Sequence, residues 1–124
     1  MRYQNSDTTD IGERTRELAL RVINLFRSLP KTTEAEVMGK QMLRSGTSVG
    51  AHIAESRRAR SSADFANKLD GALQELEETR YWLDLIIRSA VVPPDRLASL
   101  EDEINQIMAI MVTLARKTLQ SELD

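Results

Sequence analysis

Apolar residues recur along most of this chain every three or four positions, and no stretch alternates apolar with polar residues at the period of a strand. The first stripe, Ile11, Leu18, Val22, Leu25, Phe26 and Leu29, predicts a helix from about Ile11 to Ser28, with Pro30 helping to end it. Thr32 or Thr33 can cap a second helix, and Thr33 to Glu36 keeps the capping-box spacing; this helix is expected to run to about Ala59. Ser61 or Ser62 caps a third, striped by Phe65, Leu69, Ala72, Leu76, Leu83, Ile87 and Ala90. It should end near Val91, because Pro93 and Pro94 donate no backbone hydrogen bond and restrict the residues before them. Pro94 suits the first turn of a fourth helix, whose stripe of Leu97, Leu100, Ile104, Ile107, Met108, Met111, Leu114 and Ala115 lasts to roughly Leu119. Joints this short force successive helices to run antiparallel, which predicts an all-α, up-down-up-down four-helix bundle. Residues 1–10, polar and aperiodic, read as a flexible N-terminal arm, 11–120 as the bundle domain and 121–124 as a C-terminal tail. The expected core is Leu18, Val22, Phe26, Met42, Val49, Ile53, Leu69, Leu76, Leu83, Ile104, Ile107, Met111 and Leu114.

A length of 124 residues fits one domain, and 41% hydrophobic residues can fill a core. No apolar run approaches the roughly 20 residues that span a bilayer, and no N-terminal signal pattern is visible. A cytoplasmic protein without a membrane role is therefore expected. The absence of cysteine excludes disulfides, thiolate metal sites and thiol catalysis, while a single histidine cannot supply the two Glu-x-x-His sets of a di-iron bundle. No enzymatic activity, cofactor or small-molecule substrate is expected. The net charge of -2 conceals an asymmetry: residues 1–60 hold 11 of the 17 Lys/Arg and 7 of the 19 Asp/Glu, a local +4, whereas residues 61–124 hold 6 and 12, a local -6. That division suits contact between acidic and basic helices better than it suits polyanion binding, which needs a dense cationic surface.

The second helix carries the least ordinary segment. Gly39, Gly46 and Gly50 share one stripe with Leu43, Ile53 and Ala54, where small residues would let a neighbouring helix approach closely. On the other side, Gln41, Ser45, Ser48 and His52 form a small, polar seam that is either a solvated face or a contact with another helix or subunit. Tyr81, Trp82 and Leu85 lie off the main stripe of the third helix; they either anchor an oligomer interface or cover the bundle end. Arg57, Arg58 and Arg60 complement the negative end of the second helix or, with Lys40 and Arg44, contact phosphate. The carboxylates Glu75, Glu77, Glu78, Asp84, Glu101, Asp102 and Glu103 are expected on solvated faces.

The run RSGTSVGAHIAESRRA from Arg44 to Ala59, followed by Asp64-Phe65, Lys68-Leu69 and the stretch Glu75 to Leu83, resembles the bacterial four-helix-bundle family first noted from open reading frames in 23S rRNA intervening sequences. That family also includes the accessory variability determinants of diversity-generating retroelements. Its pattern Ser-Val-x-x-Asn-x-Ala-Glu falls on Ser48, Val49, His52, Ala54 and Glu55, so His52 stands where asparagine is usual. The resemblance implies a homopentameric ring around a central channel, without family-wide enzymatic activity. Retroelement members associate with a reverse transcriptase and nucleic acid through strongly basic surfaces, from which a sequence pI near 5.5 departs. The expected function is thus that of a non-enzymatic assembly or scaffold protein, with Ser45, Ser48, His52, Glu55, Tyr81, Trp82 and Leu85 as candidate interface residues. The alternative is a nucleic-acid-associated accessory factor using Lys40, Arg44, Arg57, Arg58 and Arg60.

Overall fold

The computed structural model describes the backbone of residues 6–123 and the side chains of residues 11–120. Its elements are α1 (Ser6–Ser28), α2 (Thr33–Ser56), α3 (Ser62–Arg88), a 3₁₀ turn (Pro94–Arg96) and α4 (Ala98–Leu123), with no strand among the described residues. α1 packs on α2, α2 on α3 and α3 on α4, and α4 closes on α1. The register is antiparallel: Gly39 lies against Leu29 and Phe26, Gly46 against Val22 and Gly50 against Thr15. At the closing seam Arg14 reaches Glu103, and Arg21, further along α1, reaches the earlier Ser99.

Helix ends differ from the sequence expectation in ways that the caps explain. α1 begins at Ser6 rather than Ile11, so part of the expected arm is helical; residues 1–5, and Asp124 of the expected tail, lie outside the described residues. Of the two expected caps of α2 it is Thr32, with extended backbone, that accepts a bond from Ala35 N at 3.3 Å, one residue ahead of the Thr33–Glu36 box. α2 stops at Ser56, three residues before Ala59, because Arg58 N and Ala59 N donate to carbonyls three residues back and tighten the chain into the turn towards the Ser61 cap. α3 stops at Arg88, and Ala90, expected on its apolar stripe, is exposed with φ of 60°. Its N–H donates to Ile87 O at 3.1 Å, which is half of a glycine-type C-terminal closure built on an alanine. Pro94 opens the 3₁₀ turn instead of α4, since burying both Val92 and Leu97 under the bundle end bends the chain before Ala98.

Every expected core residue is buried except Phe26, which packs half-buried on the rim. Ile86, unforeseen, takes the innermost position near the end of α3, and Thr79 fills the step between Leu76 and Leu83. The glycines of α2 face α1: a Cβ on Gly46 would fall 2.9 Å from both Val22 Cγ atoms. At Gly39 and Gly46 the use of glycine is to leave room for the α1 side chains of Leu29, Phe26 and Val22, rather than turn geometry.

Candidate functional site

The seam between α2 and α3 gathers the polar chemistry of the molecule. At its centre the hydroxyls of Ser45 and Thr79, both fully enclosed, lie 2.9 Å apart. Ser45 Oγ is also 3.2 Å from Met42 O, and Thr79 Oγ1 is 2.8 Å from Glu75 O. Two hydroxyl protons therefore serve three short contacts, and no buried side-chain polar atom among the described residues lacks a partner. Ser45 is consequently an internal α2–α3 contact; α3 covers it completely, which removes it from the candidate subunit interface.

Outside this pair, Arg44 spans both helices. Its guanidinium donates to Glu78 and, at 3.5 Å, to Glu75, two carboxylates one turn apart on α3. Glu78 also accepts a bond from Trp82 Nε1 at 3.2 Å. Hydrogen bonding to Arg44, reinforced by Trp82, holds the Glu78 carboxyl below the usual carboxylate range, and the same Glu78 bond raises Arg44. Both shifts lead away from neutrality and fix the pair as ions, the opposite of what proton transfer at neutral pH requires.

His52 continues this face. Its imidazole lies over Gly71, where a Cβ would come within 3.1 Å of Nδ1, and its nitrogens are each 3.9 Å from a carboxylate, Glu55 on its own helix and Glu75 on α3. Ser48 donates to Arg44 O at 2.7 Å and is half-buried. Trp82 packs on the core edge, with Leu85 half-buried one turn further on. Ser48, His52, Glu55, Trp82 and Leu85, singled out in the sequence by two separate arguments, thus share one face. Tyr81 does not belong to it: 57% exposed and edge-on to Trp82 at 5.1 Å, it lines an open groove with Glu77, Asp84 and the α4 residue Glu101.

The basic candidates do not gather. Lys40 pairs with Glu36 on its own helix, and Arg44 is held by α3. Arg57 turns towards α1, its guanidinium covering Gly12. Only Arg58 and Arg60 stay together, in an open groove at the α2–α3 corner with Lys68, Glu55 and Asp64. Three carboxylates expected on solvated faces have bridging roles instead: Glu75 and Glu78 hold Arg44, and Glu103 accepts two bonds from Arg14 at 3.0 and 2.8 Å. The legible signal was the spacing of Glu75 and Glu78, opposite an arginine once the helices are paired antiparallel. Among the described residues no group of His, Asp and Glu is placed to hold a metal, and no helix is long and apolar enough to cross a membrane.

These features define a four-helix-bundle protein in which a few polar side chains, among them Arg14, Arg44, Ser45 and Thr79, join neighbouring helices. The chain belongs to the family of 23S rRNA-intervening sequence proteins, which it matches over residues 7–113. It is similar to a protein of unknown function from the S23 ribosomal protein family of Bacteroides thetaiotaomicron, with 37% identity, a TM-score of 0.83 and coverage of 89% of this chain and 98% of that one. No curated protein matches it.

Proposed function

We propose that this protein is a non-enzymatic assembly protein that works as a ring of identical bundles, docking through the outer face of α2 and α3. The observation that carries the reading is the half-buried Trp82 and Leu85 beside a polar network already locked by Arg44 and Glu78. Aromatic surface next to pre-ordered polar groups loses little further entropy on docking, as interface anchors require. A heterologous contact of this kind closes into a ring when its rotation allows, and the family resemblance drawn from the sequence suggests a pentamer. Light scattering should give the mass of a pentamer at micromolar concentration. Ser48→Arg should yield single chains that remain helical by circular dichroism. A wild-type mass of one chain overturns the reading.

A second reading, nucleic-acid association, draws support from Arg58, Arg60 and Lys68 at one corner. With Glu55 and Asp64 in the same groove, it implies binding at low salt that fades near physiological ionic strength, where the Debye length is about 8 Å. RNA titrations at two salt concentrations, on wild type and on the paired Arg58→Gln and Arg60→Gln variant, test it.

A further inference from the structure

Arg14, Arg16, Arg44 and Arg88 each meet a carboxylate. Arg21 differs. It is half-buried on α1, and it donates to an uncharged hydroxyl, Ser99 Oγ at 3.0 Å. Among the described residues no carboxylate pairs with Arg21 or with Arg96 of the 3₁₀ turn, and both line one groove between α1 and the start of α4. Partly buried charge without an opposite charge is costly unless something else supplies it. No carboxylate lines this groove, unlike the Arg58 groove, which contains two. Its remaining lining is Ser28 and four aliphatic residues, Leu25, Val92, Leu97 and Leu100. Val92, Leu97 and Leu100 keep 4%, 3% and 4% of their surface accessible, where most of the core is at 0–1%.

We propose that this groove binds a small organic carboxylate. The planar forks of Arg21 and Arg96 take the carboxylate, and a short hydrocarbon group lies on Val92, Leu97 and Leu100. The charge selects an anion and guanidinium geometry suits a carboxylate. The aliphatic residues favour an anion that carries a hydrocarbon group over inorganic phosphate, which has no apolar part to place on them. A volume of about 150 Å³, below the ~300–1,000 Å³ of common ligand pockets, limits the occupant to a few carbon atoms.

The probe is sodium butyrate, followed by methyl NMR, against sodium chloride at equal ionic strength and sodium phosphate. Butyrate should shift the methyl signals of Val92, Leu97 and Leu100 saturably. Arg21→Gln and Arg96→Gln should each weaken binding at least about tenfold, while Arg116→Gln, exposed near the far end of α4, leaves it unchanged. Arg96 is exposed, so its variant keeps the test informative if Arg21→Gln perturbs the fold. Chloride reproducing the shifts, phosphate binding as tightly as butyrate, or a double arginine variant binding like wild type would each overturn the proposal.

Discussion

Two glycines of α2, alike in sequence, have opposite roles. At Gly46 an added Cβ meets Val22, a fully buried and β-branched side chain with no room to rotate away. Gly46→Ala should destabilise the fold by about 1–3 kcal/mol through overpacking. At Gly50 the nearest atom is Thr15 Oγ1 at 3.4 Å, an ordinary contact. There Gly50→Ala should stabilise by up to about 1 kcal/mol, because alanine gains helix propensity and the unfolded chain loses freedom. Urea denaturation of the two variants distinguishes them by sign. Ala90 is the converse: its φ of 60° costs an L-residue about 1–2 kcal/mol, against ~0.5–1 kcal/mol for glycine's extra unfolded-state entropy. Ala90→Gly should therefore raise stability by up to about 1 kcal/mol, read as a higher urea midpoint at unchanged slope.

Between elements, the α2–α3 seam couples a buried hydroxyl pair to an outer ion pair. Thr79→Val leaves Ser45 without its cross-helix partner and should cost about 1–3 kcal/mol. Combining it with Ser45→Ala should cost less than the sum of the single changes, because no hydroxyl is then stranded; a double-mutant cycle measures this coupling. The outer pair adds a pH signature. Glu78 is held below the usual carboxylate range by Arg44 and Trp82, so its stabilising contribution is complete above its unfolded pKa of about 4.3 and is lost as pH falls through the lower folded value. Glu78→Gln should be less stable than wild type at neutral pH, and the difference should close in strong acid. Added salt should also narrow it, since the pair is solvent-accessible. Equal differences at both pH values would remove Glu78 from that role.

Across the whole molecule, cohesion is uneven. α2 and α3 share the most extensive contact, including the Ser45–Thr79 pair, whereas α1 and α4 meet least and are clasped at the surface by Arg14 on Glu103 and Gln106. Native-state hydrogen exchange should find the slowest amides in the middle of α2 and α3, approaching the global unfolding free energy, and faster opening in α1. Uniform protection of all four helices would show a single cooperative unit instead.

The sequence by itself determined the number of helices, their order and nearly all of the core, because burying a 3.6-residue stripe is a local pattern that short joints then make antiparallel. It also placed Ser48 and His52 on one side of α2, and Trp82 and Leu85 off the main stripe of α3. Tertiary structure alone decided the pairing of side chains across helices. Glu75, Glu78 and Glu103 read as solvated until antiparallel register set them opposite Arg44 and Arg14, and whether Ser45 faced solvent, another helix or another subunit stayed open until Thr79 of α3 met it. The five cations of α2 and its following turn looked like one patch along the chain, yet α1 and α3 draw Arg57 and Arg44 apart. Helix periodicity fixes which side of a helix a residue occupies, whereas what stands opposite depends on axial register between helices, and that is set by the packing of the whole core.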